Sequence, residues 1–230
     1  ERRITLDSQP VVKATDRKAV LHQEIFSRII LDKGEIVNAG IFIPIAERLK
    51  LMSSLDRLIM EEVLKLDRDL LGADTMAVNL STSSLQDESF VQWLKDTLMN
   101  LPEKAPKIIF EFTEFGAVQN ENPVRSFAAA IRAAGHKIGL DHYGQSCGNL
   151  KYLQSLRPDY VKIDRAYTDE LKGEDSDSRF FISSLCSVAH SIDIVVIAEA
   201  VETENQLRLL QELNIDAIQG YLIDRSKPIA

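Results

Sequence analysis

KIIFEFTEFGAVQNENPVRSFAAAIRAAGHKIGLDHY, residues 107–143, holds the unit from which the fold is read. Its ends, KIIFEFTE and HKIGLDHY, are short, nearly continuous apolar runs of the kind that form strands. Between them VRSFAAAIRAAG places apolar residues at i, i+3 and i+4, the spacing of an amphipathic helix. Strand, helix and strand in this order predict two parallel strands covered on one face, because a parallel return needs a crossover long enough to hold a helix.

The same alternation extends in both directions. ITLDSQPVV, AVLHQEIFS, TMAVNLS, DYVKID, DIVVIAEAV and DAIQGYLI read as further strands, giving eight with the two above. Helical spacing recurs in residues 43–71, in FVQWLKDTLMNL, in SRFFISSLCSVAHSI and in ENQLRLLQELN. Eight strands alternating with helices predict an α/β fold, a TIM-type (β/α)8 barrel. Only KATDRK separates the first two strands, too little for a crossover, so that pair is predicted to be an antiparallel hairpin. The polar run KGEDSDS, residues 172–178, reads as a solvated loop in which Ser176 or Asp177 caps the next helix.

The chain has 230 residues, 45% of them hydrophobic and 27% charged, which fits one globular domain over residues 1–230. A net charge of -8 opposes binding of nucleic-acid polymers or an anionic membrane surface, while leaving room for a small anion held by local cations or metal ions. Cys147 and Cys186 have neither disulfide-framework nor zinc-knuckle spacing, so a reducing cytoplasm is expected. No run has the roughly 18 consecutive apolar residues of a membrane helix, and direct membrane insertion by this domain is not expected. The start, ERRITLDSQP, reads as that of a domain excised from a longer chain.

In such barrels the functional site forms at the C-terminal ends of the strands. Reading the strands in order gives Gln9, Glu24, Asn79, Glu111, Asp141, Lys162, Glu199 and Gln219, one polar group in each apolar run. Four carboxylates and a carboxamide at one mouth are most readily neutralised by divalent cations, and all-oxygen ligands suit Mg²⁺, Mn²⁺ or Ca²⁺. Each residue taken singly reads equally well as a solvated strand end. Lys162 is either a structural counter-charge or the group that orients a metal-bound water.

Together QEIFSR, VNLS, FEFTE, LDHYGQS, VKIDR, AEAVE and IQGY, in this order and spacing, resemble the EAL-domain family of bacterial cyclic di-GMP phosphodiesterases and their inactive relatives. The resemblance implies a TIM-type barrel with an antiparallel first strand. It implies that Glu24, Asn79, Glu111 and Asp141 hold one Mg²⁺ or Mn²⁺, and that Asp141 and Glu199 share in a second. Lys162 corresponds to the lysine holding the attacking water, so that Lys162, Glu24, Asp141 and Glu199 form the catalytic set. Arg28 and Gln9 correspond to contacts of the bound dinucleotide. Phe26 keeps an apolar surface for a purine, Gln219 is a polar group beside the site, and Glu114 braces the loop after the fifth strand.

The sequence departs from the family pattern at the second metal. His142 stands where the family has an aspartate, and a neutral imidazole nitrogen is a poor ligand for Mg²⁺. HYGQSCG replaces a D-F-G-T-G loop, with Ser146 at its second glycine; Ile25 and Phe26 replace Ala and Leu, and Ala200 stands where glycine is usual. The resemblance therefore implies a degenerate domain that binds cyclic di-GMP as a receptor, in the manner of LapD-like proteins, with little or no hydrolysis. The alternatives are an active metal-dependent phosphodiesterase yielding linear pGpG, and a scaffold binding neither metal nor nucleotide. Expected partners are cyclic di-GMP, a second copy in a homodimer and other domains of the parent chain; the expected location is the bacterial cytoplasm, with a membrane anchor elsewhere in the parent protein an open alternative.

Overall fold

In the computed structural model, which describes residues 3–32, 34–145, 151–171 and 176–229, ten strands form one sheet. They are β1 (Ile4–Lys13), β2 (Asp16–Ile30), β3 (Ile36–Asn38), β4 (Thr75–Asn79), β5 (Lys107–Thr113), β6 (Lys137–Tyr143), β7 (Tyr160–Ile163), β8 (Val195–Ala198), β9 (Ala217–Ile218) and β10 (Lys227–Pro228). From β2 through β4 to β9, neighbouring strands pair in parallel. β1 closes the ring by pairing antiparallel with both β2 and β9. The result is the predicted closed eight-stranded barrel with one reversed strand; β3 and β10 lie outside it, on β2 and β1.

Alternation along β5 shows how residue type sorts the two faces. Ile108, Phe110 and Phe112 face the helical shell, where Phe127 meets both aromatic rings edge-on at centroid distances of 5.2 and 6.3 Å. Phe127 lies on helix Glu121–Arg132, whose buried stripe is Val124, Phe127, Ala128 and Ile131. Full burial of such side chains stabilises the fold by about 1.5–3 kcal/mol each. The alternate residues, Ile109 and Glu111, face the barrel axis. Ile109 joins Val11, Ala77, Tyr160, Ile197 and Ala217 in a small apolar floor inside the barrel. Glu111 stands one step nearer the mouth, so strand periodicity places a carboxylate directly above an apolar layer.

Two predicted elements differ in extent. The helical pattern over 43–71 forms three helices, Ala39–Arg48, Met52–Val63 and Arg68–Leu71. Lys50 adopts a left-handed φ of 56° at the first break, where no glycine or proline marks it and the apolar spacing continues in phase. The run 216–223 forms only Ala217–Ile218 as strand. At Gly220 the backbone turns against Val201, so close that a Cβ would lie 2.2 Å from the Val201 carbonyl oxygen. Short helices Glu114–Gln119 and Arg165–Glu170 add turns directly after β5 and β7, and the short helix Lys151–Leu156 is the described helix between β6 and β7. Helix Ser176–His190 carries Ser176 and Asp177 in its first turn rather than at its cap, and residues 172–175 lie outside those described. Among the described residues no helix is long and apolar enough to cross a membrane.

Candidate functional site

All four residues of β7 are buried, and Lys162 is 0% exposed on the inner face. An ammonium removed from water in this way costs several kcal/mol unless it is paired. Its Nζ lies 2.6 Å from Glu24 Oε2, 2.9 Å from Glu111 and 3.3 Å from Glu199 Oε1. Glu24 is completed by Asn79 Nδ2, which donates to its Oε1 at 3.0 Å, and by Gln219 Nε2, which donates to its Oε2 at 2.7 Å. The Tyr160 hydroxyl donates to Glu111. Six of the predicted side chains, on β2, β4, β5 and β7 and just past β8 and β9, thus form one connected group.

Electrostatics within this group are uneven. Burial alone would depress the Lys162 ammonium, but Glu111, Glu24 and Glu199 outweigh it and hold the pKa well above the ordinary value. Burial favours the neutral form of Glu24, yet Lys162 and Gln219 overcome this and keep its pKa low. Glu111 is pushed well above the usual carboxylate range by burial and by repulsion from Glu24. Burial, reinforced by Asp141 and Glu24, takes Glu199 up to about 7 against the pull of Lys162. Glu24, Glu111, Asp141 and Glu199 hold more negative charge than the Lys162 cation offsets, and the mouth favours further cations.

His142 is held toward its protonated form there. It follows Asp141 at the end of β6, with φ at 57° and its side chain 43% exposed. Its backbone N–H donates to Asp141 Oδ1 at 2.7 Å, and Nδ1 donates to Asp164 Oδ2 at 2.8 Å. Nε2 faces Asp141 Oδ2 at 3.7 Å, so a neutral ring would turn a lone pair toward a carboxylate while the imidazolium turns an N–H. Burial depresses the His142 pKa, but Asp141, Asp164 and Glu199 more than compensate and raise it. Asp164 also accepts from Gln145 Nε2 at 2.6 Å and caps helix Arg165–Glu170 through the Ala166 N–H.

Glu114, buried at the start of its helix, accepts from the Gly144 N–H at 3.2 Å and from the Tyr152 hydroxyl. It thereby ties the described start of the loop after β6 to the core. Ser146 lies outside the described residues. Ala200 takes a left-handed φ of 55°, a conformation in which glycine avoids the cost of a Cβ.

The β1–β2 hairpin continues past the mouth. Directly opposed pairs on one face are Gln9 with Glu24, Asp7 with Phe26 and Thr5 with Arg28. Because β1 runs in reverse, Gln9 stands in mid-strand rather than at a C-terminal end, and its amide donates to the Asp224 carbonyl at 2.8 Å. Arg28 lies over the Phe26 ring, with the guanidinium carbon 5.8 Å from the centroid. It pairs with Asp7 Oδ2 at 3.2 Å and donates to the Ser27 carbonyl at 3.2 Å.

Three participants went unassigned in the sequence reading. Asp164 sits two residues after Lys162, within the quoted VKIDR, and its polar end-of-strand position was the available signal. Tyr160 and His22 form a tier beneath the carboxylates, stacked at 5.2 Å with planes 8° apart. Gly139 makes room for the Tyr160 ring, since a Cβ there would lie 2.4 Å from it. Burial and nearby Lys162 push His22 down to about 3, so it is neutral there, and its Nε2 has no hydrogen-bond partner among the described residues.

Metal fit divides along the same line. Glu24, Asn79, Glu111 and Asp141 are oxygen donors with surplus negative charge, the chemistry Mg²⁺ or Mn²⁺ requires. Lys162 gathers Glu24, Glu111 and Glu199 around itself, and among the described residues no group of three or more acidic, His or Cys side chains stands at metal-holding separation. A second site fits poorly, because the His142 ring is committed to Asp164 through Nδ1, and Asp141, Asp164 and Glu199 favour its protonated form, which has no lone pair for a metal.

A barrel with a buried lysine among carboxylates at its mouth matches the EAL domain model, which covers residues 1–228, and the chain belongs to the EAL domain family. Cyclic di-GMP phosphodiesterase PdeB of Shewanella oneidensis is 29% identical across 100% of this chain, and cyclic di-GMP phosphodiesterase PdeF of Escherichia coli is 27% identical across 97%. The chain spans only 27% and 30% of the lengths of those two relatives. Among solved structures, the PaMucR phosphodiesterase in complex with c-di-GMP superposes with a TM-score of 0.86 at 27% identity, covering 99% of this chain and 98% of that one. The S helix-GGDEF-EAL portion of Vibrio cholerae LapD bound to c-di-GMP gives a TM-score of 0.83 at 30% identity, over 96% of this chain and 53% of that one.

Proposed function

We propose that this domain binds cyclic di-GMP at the barrel mouth and hydrolyses it little or not at all, acting as a receptor. The carrying observation is the His142 imidazole, hydrogen-bonded to Asp164 and set against Asp141 where the family pattern has a second-metal carboxylate. Its relatives support the ligand: the LapD and PaMucR structures are c-di-GMP complexes.

Arg28 would meet a phosphate and Phe26 a purine face, while Gln9 on the hairpin and Gln219 just past β9 would supply polar contacts. Glu24, Asn79, Glu111 and Asp141 would hold one Mg²⁺ or Mn²⁺. A bound ion supplies charge neutralisation at the phosphate and polarisation of a water. Lys162 keeps Glu24 ionised and holds both Glu24 and Glu111 toward the axis, and Glu114 holds Gly144 so that the strand end carrying Asp141 keeps its shape. Residues 1–230 form one EAL barrel of a longer bacterial signalling protein, facing the cytoplasm, with a homodimer partner and other domains of the parent chain as its contacts.

A second reading, an active phosphodiesterase releasing pGpG, is favoured by the intact set of Glu24, Glu111, Asp141, Lys162 and Glu199. Isothermal titration with cyclic di-GMP, with and without Mn²⁺, tests ligand binding. Binding is expected in both conditions, because Arg28 supplies positive charge without a metal, and Arg28→Ala is expected to weaken it by about 1.5–3 kcal/mol. Absence of heat in both conditions would contradict the receptor reading.

A further inference from the structure

We propose that Asp7 sets the affinity of the mouth by competing with the ligand's phosphate for Arg28. The inference rests on the reading of the mouth as a cyclic di-GMP site and adds to it a residue outside the ligand set. Asp7 Oδ2 lies 3.2 Å from the Arg28 guanidinium, in a pair whose side chains are only 18% and 17% exposed. Solvent therefore screens it less than a surface pair. Phe26 backs the guanidinium on one side, and the Ser27 carbonyl takes a second N–H. Arg28 thus has an intramolecular anion at its fork before any phosphate arrives.

The two partners differ in freedom to move. Asp7 lies in β1 with strand partners on both sides, Phe26 on β2 and Pro228 on β10. Its carboxylate hangs on a short side chain from fixed backbone. Arg28 has a long, rotatable side chain. Phosphate binding must therefore draw Arg28 off Asp7, leaving a half-buried carboxylate that has lost its cation and faces a dianionic ligand. Carboxylate and phosphate oxygens both take guanidinium N–H groups, so one acceptor is exchanged for another of the same chemistry. The exchange lowers the observed affinity and makes Asp7 a threshold on ligand concentration.

Titration of cyclic di-GMP into the natural chain, Asp7→Asn, Arg28→Ala and the double variant tests this by a thermodynamic cycle. Asp7→Asn is expected to lower Kd by about five- to tenfold, tenfold being about 1.4 kcal/mol. In the Arg28→Ala background the same substitution is expected to change Kd by less than about twofold, because the guanidinium for which Asp7 competes is gone. Asp7→Ala, which keeps no acceptor, should tighten binding equally and serves if the asparagine variant fails to fold. An unchanged or raised Kd in folded Asp7 variants would overturn the proposal. So would equal tightening with and without Arg28, since Asp7 would then act through its field alone. If neither the natural chain nor any variant binds, the receptor reading falls with the inference; if the natural chain binds and Asp7→Asn matches it, the inference alone falls.

Discussion

An imidazole at position 142 supplies one nitrogen where a carboxylate supplies anionic oxygens, and here its Nδ1 is already bonded to Asp164. Restoring the carboxylate with His142→Asp replaces the imidazole with an anionic oxygen donor of the kind that Mg²⁺ or Mn²⁺ favours. Cyclic di-GMP hydrolysis in Mn²⁺, followed by chromatography of the products, is expected to rise at least about tenfold, equivalent to about 1.4 kcal/mol of barrier. No gain with binding retained would move the defect to the loop beginning at Gly144. At this scale much of the site was legible. An inward-facing Glu24, Asn79 or Glu111 interrupts an apolar run, and burying it without partners is costly enough to signal a role. Tyr160 and His22 were not legible, because an aromatic residue in a strand looks the same whether it fills a core or holds a carboxylate. Asp7 could not be matched to Arg28 without the hairpin register.

Among the elements, helix Met52–Val63 is joined to the loop after β4 by a buried carboxylate. Asp56 Oδ2 accepts from the Ser84 hydroxyl at 2.6 Å and from the Ser81 N–H at 3.1 Å. Burial nonetheless pushes its pKa up to about 7, with those two bonds opposing. The native state therefore holds this proton over a range where the unfolded chain has released it. Its contribution is complete below the ordinary aspartate pKa and is lost as pH rises through about 7. His22, pushed down to about 3, acts in the opposite sense and costs stability as pH falls below the ordinary histidine range. Comparing Asp56→Asn with the natural chain separates the two. The variant keeps an accepting oxygen but has no charge, so chemical denaturation should show it more stable at pH 8 by about 2–4 kcal/mol, with the difference vanishing near pH 4. A constant difference across that range would contradict the assignment. Strands were the legible elements, since their apolar runs are bounded by polar turns. The break at Lys50 was not, because it falls in phase with the helical spacing, and the last strand was overread because the turn at Gly220 depends on contact with Val201.

Across the whole molecule, a net charge of -8 opposes an anionic ligand, so the proposed site depends on local positive charge from Arg28 on the hairpin and from His142 when protonated, while Lys162 is taken up by Glu24, Glu111 and Glu199. Closure of the barrel by a reversed β1 carries Gln9 and the Asp7–Arg28 pair to that opening, beside the buried carboxylates on the parallel strands. The overall architecture was legible from strand and helix alternation and from the short KATDRK connection, both consequences of chain geometry. Whether the assembled mouth turns its ligand over depends on the second-metal position, and steady-state hydrolysis of cyclic di-GMP by the natural chain in saturating Mn²⁺ measures this most directly. Turnover below about 0.01 per second, with ligand binding intact, is the result expected of a receptor; a rate of about 1 per second or more, in the ordinary enzyme range, would contradict it.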